Sequence, residues 1–172
     1  ALVYLSLGST GAIDIKYPAS GKFFNRRQLN KIGSFQRSLL NRTWGNKKQN
    51  WFVNAVIAVR TEFQPIELLR ICQSIEAKLG RNREAEEHWG ERAVDIDILF
   101  YDNLVFKNEI LEIPHKYVHQ RAFALVPMLE ISPNFVHPVL QKSVMQLHEE
   151  LSDPEDVFLY VTILPQSSFE SN

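Results

Sequence analysis

The chain has 172 residues, 45% hydrophobic and 23% charged, enough apolar material for one globular core, and no apolar run approaches the ~18 residues needed to span a bilayer. A formal net charge of -1 argues against a dedicated nucleic-acid or polyanion surface, though not against a local basic pocket. The lone cysteine, Cys72, excludes an internal disulfide framework and fits a reducing compartment; with no leader-like segment at Ala1 to Leu7, a cytoplasmic protein without a membrane anchor is expected.

Leu2 to Leu7 is an apolar run stopped by Gly8-Ser9-Thr10-Gly11, so it reads as a buried strand followed by a tight loop. From Ile13 to Lys31 the pattern is weak. Pro18 and Gly21 break any long helix, and a helix over Phe23 to Ile32 would turn Phe24, Leu29 and Ile32 inward. Ile32 to Leu40 has strand character and Arg42 to Asn50 reads as a polar loop. Trp51 to Thr61 is the clearest strand, with Phe52, Asn54, Val56 and Ala58 on one side and Val53, Ala55, Ile57 and Val59 on the other. Asn54 is unusual inside such a run, because a buried amide needs partners; it either braces a loop or meets a ligand.

Pro65 to Leu79 is the best helix. Pro65 suits its first turn, Gly80 its end, and Leu68, Ile71, Cys72, Ile75 and Leu79 form one apolar stripe. Cys72 lies in that stripe and reads as a core thiol. A strand over Val94 to Tyr101 ends at the Asp102-Asn103 turn, and Leu104 to Phe106 reads as a short return strand. Ile113-Pro114-His115 reads as a loop. Gln120 to Ile131 is helical, with Phe123, Leu125, Val126 and Leu129 inward and Pro127 as a kink. Ser143 to Leu151 is a second short helix and Val157 to Leu164 a final strand. This order is α+β, an antiparallel-dominated sheet with packed helices. It makes one domain over residues 1–165 and a disordered tail at 166–172.

The chemistry concentrates between Arg81 and Leu99. Asp95 and Asp97 project to one face of their strand, with Val94, Ile96 and Ile98 on the other. Two strand residues span roughly 6.6 Å, so both carboxylates can converge on one or two small cations. Mg²⁺ suits such a pair, because it takes one or two carboxylates and completes its octahedron with water and phosphate oxygens. Arg81, Arg83 and Arg92 just upstream supply fixed positive charge for phosphates. The blander reading of Asp-x-Asp is the solvated side of a half-buried sheet.

With these motifs in place, the chain resembles the 6-hydroxymethyl-7,8-dihydropterin pyrophosphokinases of folate biosynthesis from about Ala1 to Leu129. The resemblance rests on five motifs in order. They are Y-L-S-L-G-S at Tyr4 to Ser9; G-x-x-x-Q-x-x-F-x-N at Gly45, Gln49, Phe52 and Asn54; and Gln73-x-x-Glu76. G-R-x-R with W-G-x-R-x-x-D-I-D-I-L follows at Gly80 to Leu99, then P-H-x-x-x-x-x-R-x-F at Pro114, His115, Arg121 and Phe123. Thr10 stands where the family usually has Asn, Lys116 replaces a common aromatic or proline, and Ser38 to Trp44 lacks the family's proline and reads as a longer loop. The segment broken by Pro18 and Gly21 replaces the family's regular first helix, and His88 occupies a spot that is basic in some members.

The resemblance implies a ferredoxin-like two-layer α/β sandwich and an enzyme that transfers pyrophosphate from ATP to the pterin hydroxymethyl group, releasing AMP. It implies Asp95 and Asp97 as ligands of two Mg²⁺ ions, with Arg81, Arg83 and Arg92 facing phosphates as catalytic residues. Trp89 would sit on a mobile loop that closes over the site. Gln73, Glu76, Arg83, Trp89, Arg92, Ile98, His115 and Arg121 would bind ATP. Gly8, Phe52, Asn54, Asp95 and Phe123 would bind the pterin, with its ring between Phe52 and Phe123. The partners expected are thus ATP and the pterin, without nucleic acid, and a monomer is the simplest state. Two further readings remain open from the sequence: an ATP-binding relative with a different acceptor, and a non-enzymatic RNA-binding module on the same fold.

Overall fold

The computed structural model describes residues 1–9, 32, 34–43, 52–80, 94–152 and 157–163. Its strands are β1 (Leu2–Ser9), β2 (Ser34–Thr43), β3 (Phe52–Arg60), β4 (Val94–Tyr101), β5 (Phe106–Lys107), β6 (Glu112–Ile113) and β7 (Val157–Ile163). Its α-helices are α1 (Pro65–Gly80), α2 (Ala122–Ile131) and α3 (Val144–Glu149), with a 3₁₀ turn at Val118–Gln120.

Five strands form one sheet in the order β4-β1-β3-β2-β7, every neighbouring pair antiparallel. The first four strands thus have the order of the ferredoxin-like split βαβ arrangement, with α1 linking β3 to β4. This is the mainly antiparallel α+β sheet expected from the sequence. The central strands β1 and β3 are apolar on both sides because both faces of the sheet are covered. Val3, Leu5, Leu7, Ala55, Ile57, Val59, Ile96 and Ile98 pack on Ile32, which is helical, and on Leu68, Cys72 and Ile75 of α1. Tyr4, Val56, Ala58, Leu99 and Phe100 pack on the opposite side against Val118, Ala124, Leu125, Met128, Val144 and Leu147. Each such fully buried Leu or Ile contributes about 1.5–3 kcal/mol.

Several boundaries differ from the sequence reading, each for a tertiary reason. Gly8 does not end β1: it pairs with Asn54 on one side and Asp95 on the other, so two neighbours hold it extended. β2 begins at Ser34 rather than Ile32 and continues past Leu40 to Thr43, which makes Arg42 and Thr43 strand rather than loop. It is held between β3 and β7, and β7 arrives from more than a hundred residues away. β5 does not return to β4; it pairs with β6 in a separate ribbon. In α2 the inward residues are Ala122, Ala124, Leu125, Pro127, Met128 and Ile131. Phe123, Val126 and Leu129 are only partly buried, because the helix lies with its small Ala124 against the sheet. Pro127 sits inside a helix that runs on to Ile131. α3 begins at a capping box: the Ser143 hydroxyl accepts from the Gln146 N–H and the Gln146 side chain accepts from the Ser143 N–H. The tail at 166–172 lies outside the described residues.

β4 carries one irregularity beside the acid pair. Its pairing with β1 skips from Tyr4↔Phe100 to Leu5↔Ile98, leaving Leu99 as a bulge. Leu99 accepts a hydrogen bond at 2.9 Å from the His115 N–H, which docks the loop after β6 beside β4.

Candidate active site

Register alone assembles the centre of the site. Asn41, Asn54, Gly8 and Asp95 occupy successive positions across β2, β3, β1 and β4. One pair further along, Val56, Ser6 and Asp97 stand opposite one another. Directly opposed residues share a face, so Asn54, Gly8, Asp95, Ser6 and Asp97 lie on the α2 side of the sheet, at the end towards which that helix points its first turn. Gly8 leaves space beside the amide: a Cβ there would make an ordinary contact at 3.5 Å with Asn54 Oδ1. Asn54 is buried, as is Ser6.

The other components converge on Asp97. Arg121, the residue before α2, places Nη1 3.5 Å from Asp97 Oδ2, and His115 Nε2 lies 4.0 Å from the same oxygen. The Arg121 guanidinium also lies over two rings, 5.4 Å from the centroid of Phe123 and 5.7 Å from that of Tyr117. Arg121 therefore bridges the acid pair and the aromatic residue expected to hold a ring. The Tyr117 N–H donates to His115 Nδ1 at 3.2 Å, so the neutral imidazole carries its proton on Nε2, towards Asp97. Burial lowers the His115 pKa below 6.5; Asp97 opposes that shift and Arg121 adds to it. At neutral pH His115 is thus an uncharged donor.

Glu76 behaves differently from the acid pair. It rises from α1, on the opposite side of the sheet, and its Oε1 accepts from the Ile96 N–H at 2.6 Å. Burial raises its pKa above 4.5, the Ile96 N–H works against that, and the charges of Asp95 and Asp97 raise it further. Gln73 is exposed on α1. The Ile98 side chain is buried in the α1-side core, so only its backbone is available at the strand edge. Phe52 opens β3, opposite Thr43. Arg81, Arg83, Trp89 and Arg92 lie outside the described residues. Cys72 is fully buried in the core, its pKa pushed up to about 12 chiefly by burial, which removes it as a nucleophile.

Two participants carry little signal in the sequence. Tyr117 stacks on Arg121 and orients His115; its only mark is an aromatic two residues after Pro114-His115. Asn41 joins the Asn54–Gly8–Asp95 row, which no local pattern reveals.

The donor set is compatible with Mg²⁺. It offers carboxylate oxygens only, Asp95 exposed and Asp97 half-exposed. Among the described residues no group of three or more His, Cys, Asp or Glu side chains could enclose a metal. A cation held there must complete its shell with water or ligand oxygens, as Mg²⁺ does and a caged structural ion does not. Among the described residues no helix is long and apolar enough to cross a membrane.

Comparison with known proteins agrees with this arrangement. Over 152 residues, 87% of this chain and 92% of its own, a 2-amino-4-hydroxy-6-hydroxymethyldihydropteridine pyrophosphokinase of Aquifex aeolicus is 35% identical. One of the same description from Methylorubrum extorquens is 50% identical over 93 residues, which are 54% of this chain and 58% of that protein. The fold is similar to that of a Plasmodium falciparum HPPK-DHPS triple mutant solved with pteroate, at a TM-score of 0.63 and 16% identity. That match covers 87% of this chain and 43% of the larger one. The 7,8-dihydro-6-hydroxymethylpterin-pyrophosphokinase family model matches residues 4–133, and with these motifs and this geometry the chain belongs to that family of enzymes.

Proposed function

We propose that this chain transfers pyrophosphate from ATP to 6-hydroxymethyl-7,8-dihydropterin, giving AMP and the pterin diphosphate, with Asp95 and Asp97 holding two Mg²⁺ ions. The observation that carries this reading is the convergence on Asp97: an acid pair on one sheet face, with Arg121 reaching both Asp97 and Phe123. When bound, Mg²⁺ neutralises phosphate charge and lowers the pKa of a hydroxyl it touches.

The chain's own groups supply the rest. Neutral His115 donates from Nε2 to a phosphate oxygen without adding charge. Arg121 offsets negative charge that builds up beside Asp97. Phe123 offers one flat face to the pterin and Phe52 the other, while Asn54 reads the ring edge across the space left open by Gly8. Gln73 and the Ile98 backbone receive the nucleotide, and Arg81, Arg83, Trp89 and Arg92 complete its phosphate side. The reduced, buried Cys72 supports a cytoplasmic setting, and nothing in the reaction as proposed calls for more than one copy of the chain.

The test is AMP release from ATP, measured with and without the pterin and with and without Mg²⁺. The reading requires AMP only when all three are present. ATP binding without pterin-dependent AMP would indicate a different acceptor, and neither binding nor release would overturn the enzymatic reading.

A further inference from the structure

Among the described residues β4 is the edge of the sheet and has a strand neighbour, β1, on one side only. In an antiparallel edge strand, alternate residues turn both N–H and C=O away from that neighbour. Ile96 is such a residue, and it sits between Asp95 and Asp97. Its outward N–H meets Glu76 Oε1 at 2.6 Å. Glu76 comes from α1, whose Leu68, Cys72 and Ile75 are locked in the core, so the carboxylate is delivered by a rigid element. It reaches the strand from the side of Ile96 and Ile98, while the acid pair projects from the opposite face.

We infer that Glu76 is a positioning residue: it stands in for the missing neighbour strand, clamps the backbone at Ile96, and so sets the direction in which Asp95 and Asp97 project. This rests on the reading of Asp95 and Asp97 as the cation-binding pair. It assigns Glu76 a different part from a nucleotide contact, since the oxygen that the structure commits goes to the backbone. It also separates Glu76 from the cation ligands, which lie across the sheet. Without the clamp, the backbone of β4 on the stretch that carries both acids would, among the described residues, be paired with β1 alone, just below the bulge at Leu99.

The test uses the full chain without substrates, then with them. Amide hydrogen exchange at Ile96 is compared with exchange at Val56 in the sheet interior, so that a global loss of stability is subtracted. Glu76→Gln keeps an acceptor oxygen; Glu76→Ala removes it; Glu76→Asp keeps the charge but withdraws its reach, and carries the test if the alanine variant does not fold. Exchange at Ile96 is expected to accelerate about 10-fold or more in the Ala and Asp variants and to stay within about 3-fold in Gln, because an acceptor oxygen within reach of the amide is lost only in the first two. In turnover, the Ala and Asp variants should lower kcat by about 10-fold, with ATP affinity measured in the absence of Mg²⁺ unchanged. Unchanged exchange at Ile96 in both Ala and Asp variants would overturn the clamp. So would a loss of ATP affinity in all three variants with kcat intact, which is the signature of a nucleotide contact. The exchange readout does not depend on the pterin reaction, so a failure of the proposed activity would be seen separately in the wild-type AMP assay.

Discussion

Replacing Asp97 by Asn separates a functional carboxylate from a structural one. The side chain is 45% exposed, and its partners stand at 3.5 Å (Arg121) and 4.0 Å (His115), longer than the roughly 2.7–2.9 Å of a strong charge-assisted pair. A half-exposed ion pair with such contacts contributes at most about 1 kcal/mol to stability. For a domain of this size that corresponds to a fall in Tm of about 2–4 °C. Asn also preserves the shape of Asp, so its place opposite Ser6 should persist. The catalytic cost should be much larger. Removing one preorganised electrostatic group from a site of this kind typically costs about 3–4 kcal/mol in the transition state, or roughly 10²–10³ in kcat. The assay is AMP release at saturating ATP and pterin across a Mg²⁺ titration, with thermal unfolding followed in parallel. A kcat within about 3-fold of wild type would refute the cation role. A Tm fall beyond about 10 °C would show that Asp97 is instead a support of the fold.

Local geometry sets three further expected outcomes. Gly8→Ala should fold normally, since the added Cβ makes only an ordinary contact of 3.5 Å with Asn54 Oδ1. It should raise the KM for pterin by about 10-fold while leaving that for ATP unchanged, because it narrows one half of the site; equal KM values for the variant and wild type would place the ring elsewhere. His137 is buried, its Nδ1 accepts from the Val139 and Leu140 N–H groups, and burial, with His119 adding, lowers its pKa below 6.5. A depressed native pKa means that the unfolded state protonates first. This contribution to stability is therefore whole above pH 6.5 and is lost as pH falls from there through the lower native value. Tm should drop between pH 7.5 and 5, and His137→Asn should flatten that drop; an equally steep profile in the variant would refute the assignment. Cys72, with its pKa near 12, should resist a thiol reagent at pH 8 in the native protein and react fully once denaturant is added. Rapid native labelling would mean that the α1 core opens readily.

The elements are legible where local pattern and tertiary role coincide. β3 shows a nearly continuous apolar run because its two faces meet two different cores, and α1 shows one stripe because one side of it is buried. The opposite projection of Asp95 and Asp97 from Ile96 and Ile98 comes from the two-residue period alone. Local pattern misleads where a distant partner decides. Gly8 looks like a turn because glycine usually marks one, yet strands on both sides keep it extended. Arg42 and Thr43 look like loop because they are polar, yet β7 completes their pairing. Phe123 looks like a core residue by helical spacing. It is instead only partly buried, because the small Ala124 takes the position against the sheet, and the Arg121 guanidinium lies over its ring.

By itself, then, the sequence determined the inventory of chemical groups: the acid pair, the flanking arginines, the Pro114-His115 and Arg121-x-Phe123 signals, and a resemblance to one family of enzymes. Spacing along a chain encodes faces and periods, so it could say which side of its own strand each acid takes. What spacing cannot encode is which strand lies next to which. Only the tertiary structure set Asn54, Gly8 and Asp95 in one row, swung Arg121 and His115 onto Asp97, and brought the Glu76 carboxylate onto the Ile96 N–H. The physical reason is that hydrogen-bond register and edge pairing are long-range: a strand's unpaired amides become visible only when its neighbours, or their absence, are known.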